Sequence, residues 1–159
     1  MAITLSPADL SAPDFAALVA AHAAFAAQTA PPESNHYLTV DKLAEPGVMI
    51  FAAHQHGVLV GMGGLKRLSD SDGEVKSMHT AAAARGRGVA GQILAAVLSE
   101  ARAAGLTTLW LETGTHPLFA PARALYAKAG FVECPPFADY VLDPHSVFMT
   151  RRIDEEALT

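Results

Sequence analysis

Residues 81–91, Ala81-Ala82-Ala83-Ala84-Arg85-Gly86-Arg87-Gly88-Val89-Ala90-Gly91, decide how the rest of the chain is read. Small residues in such a run let consecutive backbone N–H groups approach an anion, and a helix opening just behind them adds partial positive charge. That helix is written in the pattern: Val89, Ile93, Leu94, Val97, Leu98 and Ala101 recur at helical spacing, Glu100 and Arg102 fall on the other side, and Gly105 is a stop. Gly86 to Gly91 also satisfies G-x-G-x-x-G, with Glu112 closing the next strand where a ribose-binding acid would sit. The context for a dinucleotide is poor. That fingerprint needs its first glycine at the turn leaving a strand, and here Ala81 to Arg85 intervene. A Walker A loop is excluded, since no Gly-Lys-Ser/Thr occurs. A pyrophosphate cradle at a helix N-terminus is the better reading.

Upstream of the cradle, Glu74 to Thr80 reads as a strand after the polar turn Ser69 to Gly73. Before it, the apolar runs Val48 to Ala53 and Val58 to Lys66 flank His54-Gln55-His56-Gly57 as a hairpin, so an antiparallel meander is expected. Gly61, Gly63 and Gly64 inside the second run point to bulges or to close backbone approach. Ser11, Pro13 and Asp14 start a first helix with Ser11 as its cap and Phe15, Leu18, Val19, His22 and Phe25 on its apolar face. His22 there reads as a packing histidine rather than a ligand. A short second helix ends at Leu43, before Pro46-Gly47. Downstream follow a strand Leu106 to Glu112, a helix Pro121 to Ala129 stopped by Gly130, and strands Phe131 to Cys134 and Ser146 to Arg152.

The 159 residues fit one domain over 1–159, and 51% hydrophobic content is enough to build a core without staples. Cys134 alone gives no disulfide framework, so a reducing cytoplasm is the expected location. A net charge of −5 disfavours a nonspecific grip on nucleic acid or an anionic membrane. No basic-then-apolar start suggests a targeting segment, and the longest apolar run, Phe15 to Ala27, is short of the roughly 20 residues that span a bilayer. His54 and His56 lack a compact third and fourth partner for zinc, and no His is tied to Cys134, so neither a metal nor a thiol nucleophile is expected.

Arg85-x-x-Gly88-x-Ala90 resembles the acyl-CoA pyrophosphate loop of the GNAT superfamily of N-acetyltransferases, and Ala124-Leu125-Tyr126-Ala127-Lys128-Ala129-Gly130-Phe131 resembles the family's A-L-Y-x-K-x-G-F segment. Over residues 48–152 the stretches Glu74 to Thr80, Leu111 to Gly114, Pro136 to Tyr140 and Ser146 to Thr150 look like its YsnE-type bacterial subgroup. The resemblance implies an α/β GNAT fold: a twisted mixed sheet splayed between its fourth and fifth strands, with helices on both faces. It also implies acetyl-CoA as cosubstrate and direct transfer to the amine of a small-molecule acceptor. A noncatalytic acyl-CoA-binding regulatory module is the alternative, with a dinucleotide-binding protein behind it. A homodimer is left open.

The resemblance carries roles onto single residues. The Met78 N–H would hold the oxyanion, the Thr80 N–H the pantetheine amide, and Tyr126 would protonate the leaving thiolate. The cofactor stretch comprises Met78, His79, Thr80, Arg85, Gly86, Arg87, Gly88, Val89 and Ala90, with Lys128 as a further phosphate partner. Glu74 is the leading base, because residues 74, 76 and 78 share one face of a regular strand. Glu112 is its rival and a water relay the third choice. His36, Tyr37, Glu112, Phe137 and Tyr140 are expected around the acceptor. Phe119 stands where many relatives carry Asn, so a side-chain contact to pantetheine from that loop is not expected.

Overall fold

The meander, the crossover and the two closing strands assemble into one seven-stranded sheet in the order β1-β2-β3-β4-β5-β7-β6. In this computed structural model, which describes residues 2–34 and 39–154, the strands are β1 (Ile3–Pro7), β2 (Val48–Gln55), β3 (Val58–Arg67), β4 (Asp72–Thr80), β5 (Thr108–Gly114), β6 (Val132–Cys134) and β7 (Ser146–Arg152). The helices are α1 (Pro13–Thr29), α2 (Val40–Leu43), α3 (Val89–Ala103) and α4 (Ala120–Lys128). No helix among the described residues is long and apolar enough to cross a membrane.

Every neighbouring strand pair is antiparallel except β4 and β5, which run parallel and pair only at Asp72–Thr108, Gly73–Leu109 and Glu74–Trp110. Beyond those three pairs the strands diverge, β4 to Thr80 and β5 to Gly114, and the sheet opens as a wedge. The crossover between them is α3. Its buried stripe of Val89, Ile93, Leu94, Val97, Leu98 and Ala101 packs with Val60, Val75, Leu109 and Leu111 on one face of the sheet. Ile93 is fully buried, and truncating such a residue to Ala costs about 2–5 kcal/mol. The other face carries a smaller core of Phe15, Leu18, Val19, Leu43, Ile50 and Met62, built by α1 and α2.

The helix stops work as read from their glycines. Gly105 has φ +81, its N–H donates to Arg102 O, and Leu106 N–H reaches back to Ala101 O at 3.0 Å. Gly130 repeats the device: φ +96, its own N–H to Ala127 O, and Phe131 N–H to Tyr126 O at 3.0 Å. Two carbonyls at each helix end are thereby satisfied. The second stop also fixes Tyr126, whose ring lies edge-on to Phe131 at 6.0 Å.

Three expectations shift. Ser11 does not cap α1; its hydroxyl donates to Asp9 Oδ1 at 2.6 Å, and Ala12 holds the cap position without a side-chain bond. The fifth strand starts at Thr108 rather than Leu106, because Leu106 N–H closes the helix end and Thr107 N–H bonds Ser71 O. The edge strand β1 was not foreseen, since its alternation spans only five residues and ends in proline.

Candidate active site

Where β4 begins to leave β5, its backbone breaks step with β3. Met62 pairs with His79 and Gly64 with Lys76, so Ser77 and Met78 together oppose Gly63 as a β-bulge, with Ser77 at φ +59. An extra residue turns the side chains beyond it to the other face and leaves backbone groups outside the ladder. Met78 therefore joins Val75 on the α3 face, where a Cβ on Gly63 would meet the Met78 side chain and Ile93. The glycine leaves room for the bulge.

The same bulge corrects the expected common face of Glu74 and Met78. Glu74 keeps to the opposite side, almost fully buried, where it accepts from the Tyr140 hydroxyl at 2.6 Å and faces Lys76 Nζ at 3.5 Å. Lys76 Nζ in turn donates to Tyr140 at 3.0 Å. Burial and the neighbouring Glu74 carboxylate hold the Tyr140 phenol protonated, well above its ordinary pKa.

A cavity of about 750 Å³ runs through the wedge. At one end lies the cradle: Gly86 at φ +81, then Gly88 at φ +79 as the N-cap of α3 with no side-chain cap. The first N–H groups of this 15-residue helix have no partner within it and open towards the cavity mouth. Arg85 lies beside them with its guanidinium 5.4 Å from the Phe25 ring. In the middle, Met78 and Thr80 of β4 face Thr113 and Gly114 of β5, with Tyr126 of α4 also on the wall. Burial, then the Glu112 charge, raises the Tyr126 phenol far above its usual pKa, so it is a proton donor throughout the working range.

At the α1 side the wall is polar. Glu112, half-buried, accepts from Ser146 Oγ at 2.8 Å, and burial lifts its carboxyl to about 7 against the opposing pull of Ser146 and Lys76. His22 Nδ1 and His79 Nδ1 meet at 3.1 Å, and burial together with neighbouring positive charge lowers both imidazoles to about 4. Ser34 Oγ donates to Asp143 Oδ2 at 2.7 Å, tying the segment after α1 to the segment before β7 beside His145. Among the described residues no group of three or more His, Cys, Asp or Glu side chains is arranged to hold a metal ion.

Of the residues expected from sequence, Met78, His79, Thr80, Arg85, Gly86, Gly88, Val89, Ala90, Glu112 and Tyr126 all line this cavity. Arg87 and Lys128 do not: both are exposed, and Arg87 donates to Gln55 Oε1 at 2.9 Å. Phe137 and Tyr140 stand behind the wall in an aromatic group, with Phe137 stacked on Trp110 at 5.5 Å. Glu74 is likewise not on the wall. His36 and Tyr37 lie outside the described residues. Sequence reasoning missed Lys76, Ser77, Thr113 and His145 as wall residues. Only Ser77 had a signal, the glycine pair opposite it in β3.

The family model described as the acetyltransferase (GNAT) family matches residues 16–131. The chain is 45% identical to the uncharacterized N-acetyltransferase YedL of Escherichia coli, over 96% of each chain. It is 43% identical to the uncharacterized N-acetyltransferase YsnE of Bacillus subtilis, over 91% of this chain and 96% of that one. In fold it resembles a GNAT family acetyltransferase of Elizabethkingia anophelis solved with acetyl-CoA bound, with TM-score 0.68 and 17% identity over 94% of this chain and 97% of that one. A mixed sheet opened at its one parallel pair, with a glycine-lined helix N-terminus at the opening, agrees with these matches: the chain belongs to the GNAT family of acetyltransferases.

Proposed function

We propose that this acetyltransferase moves an acetyl group from acetyl-CoA directly to the amine of a small-molecule acceptor. The carrying observation is the bulge at Ser77 and Met78, which lies against the cavity where β4 and β5 part. The residues fit the cosubstrate. Arg85 and the uncapped start of α3 suit a pyrophosphate, and the opening between Thr80 and Gly114 is where a pantetheine arm would lie. Bound there, acetyl-CoA supplies an activated acyl carbon.

The chain's own groups supply the rest. Met78 N–H, at the bulge where the register breaks, would suit an oxygen that gains charge. Glu112 takes the proton of an incoming ammonium, a task for which a carboxyl near pH 7 is well matched. Tyr126, kept protonated, donates to the leaving sulfur. His22, Phe25, Glu112 and His145 offer a half-apolar wall to an amine of modest size. We assign no role in proton transfer to Glu74, which Tyr140 and Lys76 already occupy.

The test is thiol release from acetyl-CoA across a panel of amines and amino acids, with calorimetric binding of CoA alongside. Amine-dependent release supports the reading. Tight CoA binding without release by any amine would instead support a noncatalytic acyl-CoA-binding module, and preference for NADH would revive the dinucleotide reading.

A further inference from the structure

We infer that the Ser77 hydroxyl is a second donor to the acyl oxygen, beside the Met78 N–H; the inference rests on the acetyl-transfer reading above. Ser77 is 8% exposed, and its Oγ is the one buried side-chain polar atom without a hydrogen-bond partner among the described residues. A buried hydroxyl left unbonded is a standing cost that folded proteins avoid. The backbone adds a second one: at φ +59 glycine is the cheap residue, and serine carries strain. A side chain kept at such a place with no protein partner is expected to find its partner in what fills the cavity, whose wall it forms.

Its position says which atom that is. Ser77 is the first residue of the bulge and Met78 the second, so the Oγ–H and the next N–H stand a few bonds apart and can converge on one oxygen. Gly63, opposite both, leaves room for the Met78 side chain on the α3 face. The amine lone pair attacks the thioester carbon, the C–N bond forms, and the carbonyl π pair moves onto oxygen, which accepts from Met78 N–H and Ser77 Oγ–H. When the carbonyl re-forms, the C–S bond breaks with its electron pair on sulfur, which takes a proton from Tyr126. Nitrogen loses two protons: the ammonium proton goes to Glu112 before attack and from there to solvent, and the one shed after the C–N bond forms restores the Tyr126 phenol. No electron leaves the system.

Ser77→Ala and Ser77→Gly test this, the glycine variant because it relaxes φ +59 and is certain to suit the backbone. Thiol release from acetyl-CoA with the best amine of the panel should fall roughly 100-fold in both, the usual loss for one oxyanion donor. The KM for the amine should hold. Calorimetric affinity for CoA and for S-ethyl-CoA, which lack the thioester carbonyl, should be unchanged. The infrared stretch of the bound thioester carbonyl should move towards its frequency in a non-hydrogen-bonding solvent. Melting temperature should hold or rise, since an unmet polar group is removed. Equal losses of affinity for acetyl-CoA, CoA and S-ethyl-CoA would assign Ser77 to pantetheine and overturn the inference. Wild-type rates and an unmoved carbonyl frequency in both variants would overturn it as well. If wild-type protein itself binds no acetyl-CoA, it is the acetyl-transfer reading that fails.

Discussion

The Tyr140 hydroxyl donates to Glu74 Oε2 at 2.6 Å, and with Lys76 Nζ 3.5 Å from the same oxygen this carboxylate is held on the far side of β4 from Met78. Glu74 is thus engaged by Tyr140 and Lys76 and is not on the cavity wall. Glu112 is placed differently. It lines the cavity, it accepts from the hydroxyl of Ser146, and burial lifts its carboxyl to about 7.

Glu112→Gln should therefore lower the amine-dependent rate at pH 7 by at least about 100-fold, with recovery as pH approaches the amine's own pKa. The wild-type kcat/KM should rise through pH 7 and lose that limb in the variant. Glu74→Gln should keep the limb and move it only slightly towards lower pH, because the Glu74 charge is a minor cause of the raised Glu112 value beside burial. Steady-state rates of the three proteins from pH 5.5 to 9 decide this, and loss of the limb in Glu74→Gln alone would reverse the assignment.

The same carboxyl makes stability fall with pH. Its folded value of about 7 exceeds the ordinary 4.5 of a glutamate, so between these the native state holds more protons than the unfolded chain. By linkage, unfolding free energy declines as pH rises through this window. Glu112→Gln removes that slope, so the melting temperatures of variant and wild type should diverge in the variant's favour from pH 5 to 7.5. Parallel curves would mean that Glu112 is ionised like an exposed carboxylate.

His22 and His79 give an opposite sign in a lower window. Burial and nearby positive charge lower both imidazoles to about 4, so they stay neutral while an ordinary histidine gains its proton near 6.5. The ring signals of His22 and His79 should remain at their neutral shifts in NMR spectra at pH 5.5. Their contribution to stability is present above pH 6.5 and lost as pH falls towards 4. His79→Phe should raise the His22 value only in part, since burial is the largest cause of its shift and the His79 charge the second, whereas His22→Phe should leave His79 low, held there by burial and Arg85.

What the sequence made legible, and what it hid, divides along local and nonlocal physics. The α3 stripe, the stops at Gly105 and Gly130 and the cradle glycines are each read from a few neighbouring residues, and the structure has all of them. The wedge came from the family resemblance, and its β4–β5 pairs agree. The face of Glu74 was not legible, because strict alternation holds only for a regular strand and Ser77 inserts a residue. Gly63 and Gly64 announced a bulge in that region but not which strand would carry it. Phe137 and Tyr140 fell behind the wall for a similar reason: stacking on Trp110 and bonding to Glu74 join segments far apart in sequence.

Gly88→Leu tests the cradle separately from the chemistry. At φ +79 a leucine is strained by about 1–2 kcal/mol, yet a Cβ there meets no protein atom within 4 Å. The variant should fold with a modest loss in melting temperature and lose CoA binding, because the side chain occupies the space from which a pyrophosphate meets the start of α3. Unchanged CoA affinity in a folded Gly88→Leu protein would remove the pyrophosphate from this end of the cavity.

Tyr126→Phe separates proton donation from packing. The ring is buried against Phe131 and its backbone carbonyl anchors the stop at Gly130, so removing one oxygen keeps the contacts that set the end of α4. Tyr126 lines the cavity, and burial and the Glu112 charge keep its phenol protonated well beyond neutral pH. If it protonates the departing sulfur, CoA and acetyl-CoA should bind as in wild type while turnover falls roughly 100-fold. The loss should be flat across pH 6 to 9, since no titration of Tyr126 lies in that range, and this flatness distinguishes it from the sloping loss in Glu112→Gln. Turnover equal to wild type in Tyr126→Phe would mean that the thiolate leaves without a proton from this residue.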